Sequence, residues 1–217
     1  MELIFAVSIA CTVVSVICYG AQIPDCYQIY KKKNTHNIPF LPFIIGLVNT
    51  FAIFYYGFMR QDMTTLVVNT IGSIFQTSYV IIYILFTERK AQSLLQCTYA
   101  CAFLAALYFY LHYVVENEVT AADRLGLITA VTSVSFSFAP LAEVADIVKS
   151  KSSSKLSVMP AVSMFVASLC WYVYGVLIDD IYIQLPCLQG ILSSLIQFFL
   201  FWMYPSSSFS NEKTKTQ

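Results

Sequence analysis

The chain has 217 residues, of which 58% are hydrophobic and 11% are charged, and its twelve basic and twelve acidic side chains cancel. A soluble domain averages about 25% charged residues, so a secreted enzyme and a soluble two-domain protein are excluded. A nucleic-acid-binding protein is excluded as well, because no net positive field is available to attract the phosphates. The composition predicts an all-α polytopic membrane protein.

Charged and turn-forming residues divide the chain into seven apolar segments of roughly the 20 residues that a membrane-spanning helix needs. The segments are too apolar for solvent-facing helices and too unbroken for β-barrel strands. We predict spans at about Leu3–Tyr30, Leu41–Met59, Thr64–Phe86, Leu94–Val115, Leu125–Val148, Val158–Ile178 and Ile181–Tyr204. The first is expected to stay as a span, because Glu2 stands where a cleaved signal peptide carries positive charge.

The basic residues indicate how the spans are oriented. Arg60 and Arg124 fall on one side of the predicted membrane. All the others fall on the opposite side: Lys31, Lys32, Lys33, Arg89, Lys90, Lys149, Lys151, Lys155, Lys213 and Lys215. Because loops rich in lysine and arginine remain in the cytosol, we expect the amino terminus outside the cell. The carboxyl terminus is expected inside, with residues 205–217 as a short cytosolic tail.

The chain contains an internal repeat. A shift of 118 residues superimposes Pro42 on Pro160, Tyr56 on Tyr174, Gly57 on Gly175, Asp62 on Asp180 and Gly72 on Gly190, and a shift of 116 lays Pro24 on Pro140 and Lys33 on Lys149. Residues 1–90 and 121–204 are therefore interpreted as two copies of one three-span unit. Because an odd number of spans reverses direction, the extra span within residues 91–120 would make the two units parallel. The predicted fold is two parallel three-helix bundles joined by a linker helix.

Two pairs of segments resemble a known family. NTHNIPFLPF and YYGFMRQDMTTLVVNTIGSIFQTSY are similar to the first triple-helix bundle of the SWEET sugar transporters, the MtN3/saliva family. APLAEVADIVKSKSSSK and SLCWYVYGVLIDDIYIQLPCLQGILSSLIQFFLFWMY are similar to the second. The resemblance covers nearly the whole chain and implies parallel repeats. It also implies a transporter, not an enzyme, that moves a mono- or disaccharide in either direction by alternating access, without ion coupling or a cofactor.

Asn69 and Trp171 are the strongest candidates to hold a sugar. Neutral polar groups are few midway across the predicted spans, and an amide supplies two donors and one acceptor. An indole offers a plane for the apolar face of a sugar ring in a mostly apolar pocket. From chemistry alone, Asn69 could instead bond one helix to another and Trp171 could pack in a core. The resemblance implies that both contact the substrate, because they match the family's sugar-contacting positions.

Two further positions complete the pocket that the resemblance implies. Ile53 is the repeat equivalent of Trp171, and Cys187 stands where the second repeat of the family carries asparagine. A thiol is a weak donor and acceptor compared with an amide, so we expect weaker binding, an altered sugar preference, asymmetric use of the site or lost transport. The same departure supports an alternative function, a non-transporting membrane interaction or scaffold protein that kept the fold.

Four prolines stand near the predicted cytosolic ends of spans one, two, five and six: Pro24, Pro42, Pro140 and Pro160. Proline removes a backbone donor and bends a helix, so each alone could be a passive kink. Their pseudo-symmetric register resembles the family's proline tetrad, which implies a set of hinges for cytosolic gating.

Tyr56 and Asp180 lie on the predicted outer side and match the positions of an extracellular gate contact in the family. A phenol that donates to a carboxylate forms a charge-assisted bond. The ordinary alternative is a solvated loop acid near an interfacial tyrosine.

The remaining expectations concern partners and location. None of the seven cysteines is spaced with His36 or His112 as metal ligands are, so no metal is expected. The expected partners are the lipid bilayer and a sugar (glucose, another hexose or sucrose), and a homo-oligomer rests on analogy. The plasma membrane is the favoured location, with the Golgi or another endomembrane as the alternative. The repeat and short loops disfavour a seven-span receptor, and the lack of a mid-span acid disfavours proton coupling.

Overall fold

The computed structural model describes residues 2–36, 38–136 and 158–203, and every regular element in them is helical. The helices are α1 (Glu2–Gly20), α2 (Ile23–Lys32), α3 (Leu41–Arg60), α4 (Met63–Phe86), α5 (Lys90–Phe109, continued by a π-helical turn at Tyr110–Val114), α6 (Glu118–Phe136), α7 (Val158–Leu177) and α8 (Ile181–Met203). Within these ranges six helical stretches are long and apolar enough to cross a membrane. The all-helical, multi-pass fold predicted from composition is confirmed.

The first predicted span consists of two helices, α1 and α2, separated by a turn at residues 21–22. Proline cannot donate to the carbonyl four residues before it, and its ring crowds that carbonyl. The residue four positions before Pro24 is Gly20, where α1 ends. Pro24 itself lies in the first turn of α2, where a missing N–H costs nothing.

The fifth predicted span begins earlier than its apolar run suggests. The side chain of Asn117 accepts a hydrogen bond from the N–H of Val119 at 2.8 Å, so it caps the start of α6 ahead of the predicted start at Leu125. The part of this span after residue 136, Pro140 included, lies outside the described residues, as do the lysines near residue 150 and the tail.

The chain divides into two compact units, and the boundary falls within α6. The first unit comprises Ile4–Thr129, and the second begins at Ala130. In the first unit, α2, the start of α3 and the end of α4 share an apolar core of Cys26, Ile29, Phe40, Phe43, Ile44, Tyr79, Val80 and Tyr83. In the second unit, α7 packs along α8.

The connection between α3 and α4 in the first unit resembles the connection between α7 and α8 in the second. Gln61 and Asp179 both adopt the left-handed backbone conformation, with φ of 56° and 55°. Asp62 and Asp180 follow them and cap α4 and α8. Each carboxylate accepts a hydrogen bond from the backbone N–H two residues later, at 3.0 Å and 2.9 Å. The aspartates that the repeat superimposes are thus helix caps in both units.

Candidate functional site

A glycine sets how closely α3 approaches α4. A Cβ on Gly57 would lie 3.0 Å from the side chain of Thr65 and from the backbone nitrogen of Leu66. Farther along, a Cβ on Gly46 would lie 2.8 Å from the carboxamide of Gln76. Gly46 precedes Gly57 in α3, whereas Gln76 follows Thr65 and Leu66 in α4. The two helices are therefore antiparallel, and these two contacts fix their register.

This register brings two of the predicted site residues together. Ile53 is one helical turn from Gly57, and Asn69 is one turn from Thr65 on the facing helix. The two residues therefore lie at the same level of the pair, on the faces that α3 and α4 turn to each other. Asn69 is buried and Ile53 is half-buried.

The amide of Asn69 is anchored to its own helix. Its Nδ2 donates to the backbone carbonyl of Thr65 at 2.8 Å. This bond uses one of the two amide hydrogens and fixes the direction of the group. Asn69 lies in the second turn of α4, about 9 Å from the helix start, which is nearer to the Arg60 end than the mid-span position expected from the sequence.

The α7–α8 pair of the second unit has the same register. A Cβ on Gly175 would lie 3.2 Å from the side chain of Ile183. Trp171 is one turn from Gly175, and Cys187 is one turn from Ile183. The second unit therefore places Trp171 and Cys187 at one level, as the first unit does with their repeat equivalents.

The surroundings of this second pair are partly aromatic. The half-buried indole of Trp171 meets the ring of Tyr174 edge-on, with centroids 5.6 Å apart and an interplanar angle of 86°. Cys187 carries a half-buried thiol directly after Pro186, which lies inside α8. Each unit thus carries half of the predicted set, an aliphatic–amide pair in one and an indole–thiol pair in the other.

The predicted gate residues have defined local roles. Tyr56 is buried, and its hydroxyl accepts a hydrogen bond from Nε of Arg60 at 3.2 Å. Arg60 also pairs with Asp123 of α6 at 2.6 Å. Asp180 caps α8 in the second unit. The contact between Tyr56 and Asp180 stays a prediction. Asp123 was missed from the sequence, although it is an acid on the same predicted side as Arg60.

The described prolines of the predicted hinge set lie at helix starts. Pro24 and Pro42 are in the first turns of α2 and α3, and Pro160 is in the first turn of α7. Proline is tolerated there without a kink. Any hinge motion at these residues would pivot a whole helix about its end, and this role stays a prediction.

Comparison with known proteins decides the family. A family described as sugar efflux transporter for intercellular exchange matches residues 5–91 and, a second time, residues 123–208. The chain belongs to the SWEET family. A protein named sugar transporter SWEET1 from Xenopus tropicalis is 35% identical over 207 residues, covering 94% of this chain and 96% of the relative. Its namesake from Danio rerio is 32% identical over 204 residues, covering 94% and 93%.

A solved eukaryotic SWEET transporter has the same fold. Its structure matches with a TM-score of 0.84 at 20% sequence identity, covering 93% of this chain and 96% of that one. The family match and the two SWEET1 relatives confirm the family that the two sets of motifs predicted.

This SWEET chain also carries a buried polar row that was missed from the sequence. Thr65, Asn69, Ser73 and Gln76 are all buried, and their spacing puts them on one face of α4. Within the described residues, the side-chain oxygens of Thr65, Ser73 and Gln76 have no hydrogen-bond partner. The available signal was the spacing of these polar residues, four, four and three positions apart within an apolar run.

Proposed function

We propose that the chain is a facilitative sugar transporter that moves a mono- or disaccharide in either direction by alternating access. The observation that carries this proposal is the common register of α3–α4 and α7–α8. It gives the pair Ile53 and Asn69 and the pair Trp171 and Cys187 equivalent places in two repeated units. The names of the relatives, sugar transporter SWEET1, supply the class of substrate.

The chemistry of the two pairs suits a neutral, hydroxyl-rich cargo. Asn69 keeps one amide hydrogen and its carbonyl oxygen beyond the bond to Thr65. Sugar hydroxyls both donate and accept, so they match such a group. The indole of Trp171 provides an apolar face for the ring carbons, as pocket aromatics do.

Of the four helices that carry these residues, α4, α7 and α8 are uncharged, and α3 has a single charged residue, Arg60, at its end. The stretches Met63–Phe86, Val158–Leu177 and Ile181–Met203 contain no Asp, Glu, Lys or Arg. A proton-coupled mechanism needs a titratable group in its path. We therefore propose uniport, in which transport follows the sugar gradient and responds to neither an imposed proton gradient nor a sodium gradient.

Uptake and efflux of labelled glucose and sucrose in proteoliposomes test the proposal. Wild type is expected to equilibrate at least one of them, and Asn69→Ala and Trp171→Ala should each reduce the initial rate about tenfold or more, as loss of a positioned contact does. The matched controls are Thr70→Ala, an exposed neighbour on α4, and Trp202→Ala, whose side chain is 79% exposed.

Three results would overturn parts of this proposal. A wild type that moves no sugar favours the scaffold function. Normal rates in Asn69→Ala and Trp171→Ala would reject the site. Accumulation against the sugar gradient when a proton or sodium gradient is imposed would reject uniport.

We propose further that the lysine-rich end of the first unit is cytosolic, in a plasma-membrane protein. Lys31, Lys32, Arg89 and Lys90 lie at the ends of α2 and α4 and the start of α5, which the distribution of basic residues places inside. An epitope at the amino terminus should then bind antibody on intact cells, and a carboxyl-terminal epitope only after permeabilisation. The reverse pattern would reject the orientation.

A further inference from the structure

A cavity of about 870 Å³ opens at the lysine-rich end of the first unit. It lies between the loop that joins α2 to α3, the end of α4 and the first two turns of α5. Its volume is in the range of ligand-binding pockets, roughly 300–1,000 Å³. None of the residues proposed above for sugar contact lines it.

Hydrogen bonds hold the walls of the cavity in place. The hydroxyl of Thr35 in the loop donates to the hydroxyl oxygen of Thr87 at 3.3 Å. The phenol of Tyr83 donates to the carbonyl of Ile38 at 3.0 Å, and its ring packs against Phe40 with centroids 4.7 Å apart. The loop is therefore attached to the end of α4, and the cavity is preorganised.

One face of α5 supplies polar groups that are open to a ligand. Gln92 and Gln96 are one helical turn apart and both line the cavity. Their carboxamides form no hydrogen bond with any residue that the structure describes, whereas each can donate and accept. Arg89, which also lines the cavity, adds an exposed guanidinium. Amides at this spacing suit hydroxyl groups, and the guanidinium suits a phosphate.

The charge around the cavity favours an anion. Among the residues that the structure describes, Glu88 is the only carboxylate that lines it, and Arg89 balances that charge. Lys33 and Lys90 directly adjoin lining residues in the chain. The ammonium of Lys33 lies over the ring of Tyr30, 3.8 Å from its centroid, which holds it at this end of the unit. Together with Arg89, these lysines outnumber Glu88, so the net charge around the cavity is positive, as in basic pockets that bind lipid headgroups.

Apolar side chains next to the cavity suit the chains of a lipid. Leu94 and Leu95 follow Gln92 on α5 and are 52% and 50% exposed, and Leu41, at the cavity edge, is 55% exposed. We propose that the cavity binds a phosphorylated polyol, and that this group is the headgroup of an inositol phospholipid in the adjacent leaflet. The amides of Gln92 and Gln96 contact the ring hydroxyls, and Arg89 contacts a phosphate. This site does not depend on sugar transport.

Titration of the purified full-length chain with dioctanoyl phosphatidylinositol 4-phosphate tests the proposal by microscale thermophoresis. Wild type is expected to bind saturably. Arg89→Ala and the double variant Gln92→Ala/Gln96→Ala should each bind about tenfold more weakly, the loss expected for one charge-assisted or two neutral hydrogen bonds. Gln28→Ala, an exposed amide on α2 outside the cavity, should bind as wild type does.

Competing ligands separate the site from general charge attraction. Dioctanoylglycerol pyrophosphate has a comparable negative charge without a polyol and should bind more weakly. Equal binding of the two lipids would overturn the proposal. It would also be overturned if Lys31→Ala/Lys32→Ala lowered the affinity and the Gln92 and Gln96 double variant did not. Soluble inositol 1,4-bisphosphate should compete about tenfold less well than the lipid, because it lacks the chains; equal competition would reject a membrane source.

Discussion

The guanidinium of Arg60 at the end of α3 lies 2.6 Å from the carboxylate of Asp123 in α6. The same guanidinium donates to the hydroxyl of Tyr56. The side chains of the ion pair are 33% and 45% exposed, so water screens it and it contributes at most about 1 kcal/mol. Its effect is to position Arg60 over the buried phenol of Tyr56, and so to tie the end of α3 to the start of α6.

We predict a small, salt-sensitive coupling between Arg60 and Asp123. In a double-mutant cycle of Arg60→Gln and Asp123→Asn, the coupling energy from unfolding in detergent should be below about 1 kcal/mol and should fall as salt screens the charges. A coupling of several kcal/mol, or one that high salt leaves unchanged, would show that the pair is desolvated and that this account is wrong.

The second prediction separates two roles of Asp180. Asparagine caps helices as well as aspartate does, whereas alanine loses the cap at a cost of about 1 kcal/mol. Asp180→Asn should therefore keep the Tm of wild type, and Asp180→Ala should lower it. If Asp180 also forms the predicted gate contact, Asp180→Asn should reduce sugar transport, because a neutral acceptor weakens the bond from a phenol.

The repeat mate of Asp180 provides the control for this experiment. Asp62 caps α4 with the same geometry, but it is not one of the predicted gate residues. Asp62→Asn should leave both Tm and transport unchanged. If the two asparagine variants transport equally well, Asp180 is a cap alone.

The third prediction concerns the close approach of α3 and α4. Gly57→Ala should lower the free energy of unfolding by about 1–3 kcal/mol, the usual cost of overpacking, because the new Cβ would meet the backbone of Leu66 at 3.0 Å. Sugar transport should fall with it, since the register that aligns Ile53 with Asn69 would shift. Thermal unfolding and transport rates measure the two effects.

Gly20→Ala is the matched control, because the nearest atom to its new Cβ is Ile23 Cδ1 at an ordinary 3.7 Å. This variant should unfold at the temperature of wild type or slightly above it, given the higher helix propensity of alanine. Equal stability of Gly57→Ala and Gly20→Ala would contradict the packing argument.

The sequence alone was enough to predict the spans that charges delimit and the repeat that Gly57 and Asp62 mark. Those features follow from local chemistry, since charges cannot enter the bilayer and tight turns need particular residues. The break between Gly20 and Pro24 was missed because an apolar run conceals it, although the rule for proline would have placed it. The helix start at Asn117 was missed because charged residues precede the apolar run that begins at Leu125.

The contact between Arg60 and Asp123 could not be predicted in this way. The two residues are 63 positions apart, and only the packing of α6 near the end of α3 brings them together. The cavity beside Gln92 likewise depends on where the α2–α3 loop folds back. Tertiary packing decides which distant segments come into contact, and the periodicity and spacing of residues in the sequence do not report it. The candidate sugar residues were predicted without that knowledge, because the resemblance to the family assigns Asn69, Trp171 and Cys187 by position and the repeat adds Ile53.

The last prediction concerns the thiol of Cys187, the repeat equivalent of Asn69. Cys187→Asn would restore an amide at the level of Trp171, and a neutral hydrogen bond is worth about 0.5–1.5 kcal/mol. The apparent affinity for sugar should therefore rise about two- to tenfold, or the preference among hexoses and sucrose should change. Cys187→Ser, with one hydroxyl, should lie between wild type and the asparagine variant. Cys170→Ser alters another half-buried thiol and should leave transport unchanged. Identical concentration dependence of transport in wild type and Cys187→Asn, for every sugar carried, would remove Cys187 from the site.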